Sequence, residues 1–281
     1  MKQDSYIFEI TPKTSLFAFN FKEIWQYRDL LILFVRRDFV AMYKQTILGP
    51  LWFFLQPIIS SFVFYIIFNR VAKIPTDGMP PYLFYLAGLT AWNYFSSCLN
   101  STSNVFVGNA GIFGKVYFPR LISPLSIVIS NIIRFGIQFL VFMMFYAYFY
   151  FQGAKIAISI YITLFPALIL LMAGLGLGMG LIISALTTKY RDLTFLVGFG
   201  VQLFMYATPV IYPLSQIPEK YQHYIMLNPM TGVIETFRLA FLGVGTMNWT
   251  AMWYAFAVMF VLLFVGVILF NRTEKNFMDT V

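Results

Sequence analysis

From Leu48 to Phe68 the chain reads LGPLWFFLQPIISSFVFYIIF, a stretch with no charged side chain. A hydrocarbon core about 30 Å thick is crossed by roughly 20 apolar residues in helix, so a stretch of this length ties the chain to lipid. Further stretches follow, and the full set lies at about 48–69, 82–107, 121–150, 156–187, 193–213 and 249–270. Backbone N–H and C=O groups find no water partners in hydrocarbon, so each stretch is read as α-helix. The period-2 alternation of a membrane barrel is missing. Composition agrees: 60% of the residues are hydrophobic and 11% are charged, against about 25% charged in a soluble domain. The expectation is an all-α integral membrane protein with six transmembrane helices.

Lysine and arginine placement gives the orientation. With six crossings both termini share a side. That side carries Lys2, Lys13, Lys22, Arg28, Arg36, Arg37 and Lys44 ahead of the first span, then Lys115, Arg120, Lys189, Arg191, Arg272 and Lys275. The opposite side holds Arg70, Lys73, Lys155, Lys220 and Arg238. The imbalance predicts cytoplasmic termini. The net charge of +8 is then topology plus attraction to anionic lipid, not a sign of nucleic-acid binding. Residues 1–23 contain Asp4 and Glu9 and lack the apolar core of a cleavable signal, so the first span is expected to direct insertion.

Two segments are too polar to cross. Residues 1–47 form a basic N-terminal region, ahead of a six-span domain at 48–281. Within it, Phe21–Lys44 places Ile24, Leu31, Val35 and Phe39 at near-helical spacing among charges, which fits an amphipathic helix lying at the membrane interface. It is either an interfacial helix with a moving role or a plain topology anchor. Between spans five and six, Pro213, Pro218 and Pro229 divide a mixed segment into helical pieces at roughly 218–226 and 229–242. Both are too short to span and are read as a re-entrant pair in the outer leaflet.

Candidate chemistry is sparse. Cys98 is the only cysteine and His223 the only histidine, so a disulfide framework or metal cluster within the chain is not expected. Asn93, Ser97, Asn100 and Asn104 fall on one helical face of span two, and Ser123, Ser126, Ser130, Asn131, Arg134 and Gln138 form a similar stripe on span three. Arg134 sits near mid-membrane, where an arginine costs about 2.5–3.5 kcal/mol and needs protein or water around it. It either contacts an anion or holds carbonyls and asparagines together. Gly174, Gly176, Gly178 and Gly180 make overlapping GxxxG pairs, a helix-packing signal. GNAGIFGKV at 108–116 imitates a phosphate loop, but its spacing is wrong and Val116 stands where a Ser or Thr would ligate magnesium. No catalytic constellation is visible, so an enzyme acting alone is not expected.

The run YKQTILGPLWFFLQP, Tyr43–Pro57, resembles the start of membrane subunits of polysaccharide exporters of the ATP-binding-cassette class, which handle O-antigen, capsule or teichoic acid. LFYLAGLTAWNYFSSCLN (83–100), NAGIFGKVYFPRLISPLS (109–126), KYRDL (189–193) and TPVIYPLSQIPEKYQHYIMLNPMTGVIETFR (208–238) resemble that family in the same order. Met42 and Ile112-Phe113-Gly114 depart from its usual residues. The resemblance implies a homodimer in the bacterial inner membrane, joined by two separate ATPase subunits that carry ATP and magnesium, with no cofactor on this chain. It implies that Asn109, Ile112, Phe113, Lys115 and Tyr117 couple to the ATPase. The interfacial segment becomes a gate helix, where Arg36, Arg37, Tyr43 and Lys44 would meet a lipid-linked pyrophosphate. Spans one and five would line the conduit, with Trp52, Phe53, Gln56, Phe199, Gln202 and Tyr206 as candidates, and a kink at Pro57 would bow span one around it. Asn100, Asn131 and Arg134 remain as intramembrane polar residues.

Competing readings are an ATP-driven permease for a drug, lipid or haem, and a secondary transporter or channel. The absence of acids from the six stretches weighs against the latter. A membrane enzyme of glycan assembly would need a carboxylate or histidine cluster. Glu235 and Arg238 come closest, and they read as a local structural pair.

Overall fold

The computed structural model describes residues 21–44, 49–116, 118–190 and 192–277. Among the described residues there are eleven α-helices and no strand. The amphipathic segment is α1 (Phe21–Gln26) followed by α2 (Arg28–Tyr43). A 3-10 turn at Gly49–Leu51 leads into α3 (Trp52–Phe64), and Pro50 occupies that first turn, where its missing N–H has no helical partner to lose. Pro57 lies inside α3 without ending it; the departure from α geometry comes later, as π-helical turns over Tyr65–Val71.

Span two is shorter than its apolar run suggests. α4 (Pro81–Ser103) stops at Asn104, whose backbone leaves the helical region at φ −106° and ψ 11°, and α5 (Val105–Phe113) follows. Asn104 Nδ2 donates to the Asn100 carbonyl at 3.3 Å and Ser103 Oγ donates to the same carbonyl at 2.8 Å. Side chains thus compete with the backbone for the last turn's acceptor. Next come α6 (Ile122–Phe151) and α7 (Phe165–Thr187), the latter entered by a 3-10 turn at Ile160–Leu164. α8 (Leu193–Tyr206) also ends before its expected limit at 213. Pro209 disfavours helix at Thr208, whose hydroxyl turns back to the Phe204 carbonyl at 2.7 Å.

The mixed segment forms α9 (Glu219–Met226) and α10 (Pro229–Leu242), within a residue of the expected pieces. α10 is bounded at both ends by local chemistry. Asn228 caps it by accepting from the Met230 N–H at 2.9 Å, Pro229 pre-sets the first turn, and Gly243 closes it at φ +72°. α11 (Trp249–Phe277) is the last helix among the described residues.

Among the described residues, four helical stretches are long and apolar enough to cross a membrane: Trp52–Val71, Ile122–Phe151, Ile160–Thr187 and Trp249–Glu274. α4 has the length, about 35 Å at 1.5 Å per residue, but carries Asn93, Ser96, Ser97 and Asn100. α8, with 14 residues, reaches only about 21 Å.

α7 is the central post, packed between α4 and α11, and its glycines divide the two contacts. A Cβ at Gly176 would stand 2.8 Å from the Phe95 carbonyl oxygen, and one at Gly180 2.6 Å from Thr102, both on α4. At Gly178 it would stand 2.9 Å from the Leu262 backbone, and at Gly174 it would strike Met259, both on α11. Gly266 of α11 returns the fit, approaching the Gly178 carbonyl oxygen. The overlapping GxxxG pairs therefore serve two neighbours at once, as close packing in lipid requires.

The buried residues form one large core and a second, smaller one. The large core centres on α4, α7 and α10, with Phe237 and Phe241 of α10 set among Phe139 and Phe142 of α6 and Phe165 of α7. The second gathers Phe34 of α2, Phe106 and Phe113 of α5, Phe118, and Phe270 of α11. By contrast α3 buries only Phe53, Pro57 and Ser61, and α8 only Val201 and Met205. Their remaining faces point outward.

Candidate functional site

The second core supports a cluster of polar side chains where α2, α5 and the start of α6 meet. Helical periodicity in Phe21–Lys44 turns Phe34 inward, where it packs edge-on against Phe118 at 5.5 Å. Phe118 meets Phe113 at 5.8 Å, and Phe113 meets Phe106 at 5.9 Å. Phe106 in turn stacks on Phe270 at 4.4 Å. This row of rings fixes α5 between the interfacial helix and the end of α11. Arg120 adds a polar tie: its Nη1 donates to the Glu274 carbonyl at 2.8 Å while its guanidinium stands 5.5 Å from the Phe113 ring.

Among the predicted coupling residues, Asn109 and Ile112 are half-buried on α5, Phe113 is buried, and Lys115 is exposed on the turn after the helix. Tyr117 lies outside the described residues. Among the predicted pyrophosphate contacts, Arg36 and Lys44 are exposed, Tyr43 ends α2, and Arg37 is engaged within the protein. Arg37 Nη2 is 2.7 Å from Asp38 Oδ1, Nε donates to the same oxygen at 2.8 Å, and the guanidinium covers the Phe34 ring at 4.3 Å. Its Nη2 also reaches Asn109 Oδ1 on α5 at 3.4 Å. Asp38 Oδ2 in turn stands 3.3 Å from Ser126 Oγ on α6, and Ser130 Oγ is 3.4 Å from the Val35 carbonyl. Sequence reasoning missed this cluster because Arg37 and Asn109 lie far apart in the chain.

The predicted conduit residues divide. Trp52 and Gln56 on α3, and Phe199, Gln202 and Tyr206 on α8, are exposed. Phe53 is buried instead, stacked on Phe39 of α2 at 6.2 Å, with the Arg134 guanidinium 5.7 Å from its ring. Arg134 thus sits against the inner side of α3. Asn131 is buried one turn before it, and Asn93 approaches Gln138 at 3.5 Å between α4 and α6. Asn100 is half-buried, and its carbonyl takes the side chains that end α4.

At the opposite end, Arg238 of α10 is fully enclosed. Its Nη1 donates to the Pro209 carbonyl at 2.6 Å and its Nη2 to the Val210 carbonyl at 2.7 Å. Glu235 lies 3.4 Å away, and the Phe84 ring covers the guanidinium at 3.6 Å. The Glu235–Arg238 pair is present as expected. The carbonyls that hold it, freed where Pro209 stops α8, carried no sequence signal. Beside this pair a cavity of about 280 Å³ is lined by Asp77, Ser215, Thr231, Glu235, Thr236 and Asn248 among others. Its polar groups largely satisfy one another: Ser215 Oγ lies 2.8 and 2.9 Å from the Asp77 carboxylate oxygens, and Asn248 caps α11.

The ABC-2 type transporter family matches residues 29–242, from the first turn of α2 to the last residue of α10. The chain belongs to this family. It is 30% identical over 253 residues to the O-antigen export system permease protein RfbA of Klebsiella pneumoniae, covering 89% of this chain and 94% of that protein. To the protein of the same name in Myxococcus xanthus it is 29% identical over 262 residues, covering 92% and 98%. The polysialic acid transport protein KpsM of Escherichia coli is 24% identical over 234 residues, covering 81% and 87%. As an ABC-2 family protein the chain is a multi-pass membrane permease, and both the cluster at α2 and α5 and the Arg238 clamp fall within the matched region.

Proposed function

We propose that this chain is the membrane subunit of an ATP-driven exporter that carries a lipid-linked polysaccharide across the bacterial inner membrane. The observation that supports this most is the near full-length similarity to O-antigen export permeases, which extends through α2, α5 and the α9–α10 pair alike. In this reading α4 and α8 join the four longer stretches as spans two and five, α9 and α10 are re-entrant from the outside, and both termini are cytoplasmic. Two copies of the chain pair with two ATPase subunits that hold ATP and magnesium. α5 and the exposed Lys115 form the contact with the ATPase. Lipid-linked pyrophosphate arrives beside α2, where Arg36 and Lys44 offer charge-assisted contacts.

The outward faces of α3 and α8 suit a conduit wall. Trp52, Phe199 and Tyr206 supply flat apolar rings and Gln56 and Gln202 supply amides. Such a surface lets sugar rings slide past without gripping one of them. Phe53, enclosed behind α3, supports that wall from within instead of lining it.

The test is co-expression of the chain with its ATPase, reconstitution into liposomes, and ATPase assay with and without the strain's lipid-linked glycan. The expected result is a two-plus-two complex whose hydrolysis rises with glycan. A chain that purifies alone and moves solute without ATP would overturn the proposal. Topology is checked separately by a reporter fused after Val281, which is expected to read as cytoplasmic.

A further inference from the structure

We infer that Arg37 is a positioning residue through which the interfacial helix α2 follows the movements of α5. The inference rests on the exporter reading and assigns Arg37 a task other than the pyrophosphate contact expected of it. Adjacent helical residues do not normally face each other, yet both Nε and Nη2 of Arg37 close on Asp38 Oδ1. The pair is partly exposed, at 38% and 17% of the two side chains, and such pairs contribute little to stability. Its effect is directional. Asp38 Oδ2 stands 3.3 Å from Ser126 Oγ on α6, whose hydroxyl donates more closely, at 2.8 Å, to the Ser123 carbonyl, and Phe34 supports the guanidinium from one face. The remaining edge of Arg37 is thereby aimed at Asn109 on α5.

That contact, at 3.4 Å, lies beyond the usual hydrogen-bond range of about 2.7–3.2 Å. A small approach of α5 strengthens it and a small retreat breaks it. Beneath it, Phe34 and Phe113 each pack on Phe118, which holds the two helices close enough for the polar contact to respond. A partner that pushes on α5 therefore moves α2, and with it the segment where cargo is expected to enter.

Two measurements on the complex with its ATPase test this. The first is a double-mutant cycle with Arg37→Gln and Asn109→Ala, reading glycan exported per ATP hydrolysed. Each single variant is expected to lower this ratio about tenfold, and the double variant no further than the worse single one. Arg37→Lys, which keeps the charge and loses the planar fork, is expected to restore only part of it. Single effects that multiply in the double variant would overturn the link. So would an Arg37→Gln variant that needs more glycan for half-saturation at an unchanged ratio, since that describes a direct headgroup contact.

The second measurement needs no cargo. Spin labels at Ile32→Cys on α2 and Val107→Cys on α5 occupy exposed positions, while native Cys98 is buried. Their separation is expected to stay constant when a non-hydrolysable ATP analogue binds, and to change once Arg37→Gln is introduced. Equal changes in both chains would overturn the link. If that separation behaves as expected but no glycan moves, the exporter reading fails and the mechanical link stands.

Discussion

Replacing Arg238 by Met is expected to cost about 3–5 kcal/mol, as removal of one member of a buried ion pair does. Three consequences add in the same direction. The Glu235 carboxylate is left beside a buried apolar chain, the Pro209 and Val210 carbonyls lose their donors, and Phe84 loses the cation over its face. Arg238→Lys is expected to recover little, because one ammonium cannot meet two carbonyls and lie flat on a ring together. Cys98 supplies the readout. It is fully buried on α4, so its reaction with a thiol-specific fluorophore on heating reports the opening of the core. The midpoint should fall by roughly 10 °C. An unchanged midpoint for Arg238→Met would show that the clamp is dispensable to the fold.

Gly178→Ala is the second large effect. The added methyl would lie 2.9 Å from the Leu262 carbonyl carbon and 2.9 Å from the Leu263 nitrogen. Backbone cannot rotate aside as a long side chain can, so α7 and α11 must separate, at about 1–3 kcal/mol. Gly198→Ala and Gly200→Ala on α8 are the comparison, because a methyl there meets nothing within 4 Å. Those two should be neutral or slightly stabilising through helix propensity. If Gly178→Ala shows the same thiol-protection profile as Gly200→Ala, the tight α7–α11 contact is not a source of stability.

The glycine spacing at 174–180 and the prolines at 218 and 229 made their helices legible before any coordinates. They act through local geometry: no Cβ permits close approach, and a fixed φ starts a helix. What remained hidden depends on tertiary placement. An all-apolar helix has no periodicity to mark its inner face, so Phe53 reads like Trp52 although only one of them is buried. Asn104 sits in an apolar run that looks continuous, and its bond back to Asn100 ends α4 early. Within the cluster at α2, charge made Arg37 a visible candidate, but its partner Asn109 is on another helix. The acceptors of Arg238 are main-chain carbonyls, which leave no trace in a side-chain pattern.

The unequal burial of the helices sets an order of stiffness within the subunit. Nearly every residue of α10 is buried, with caps at both ends and aromatic rings on its flank. α3 and α8 each touch the rest of the chain along a narrow strip. Local opening follows the number of buried contacts an element would lose. Amide protons of α10 should therefore exchange last with solvent deuterium. Outward displacement is expected first in α3 and α8, which can shift as staves around a barrel whose rim stays fixed.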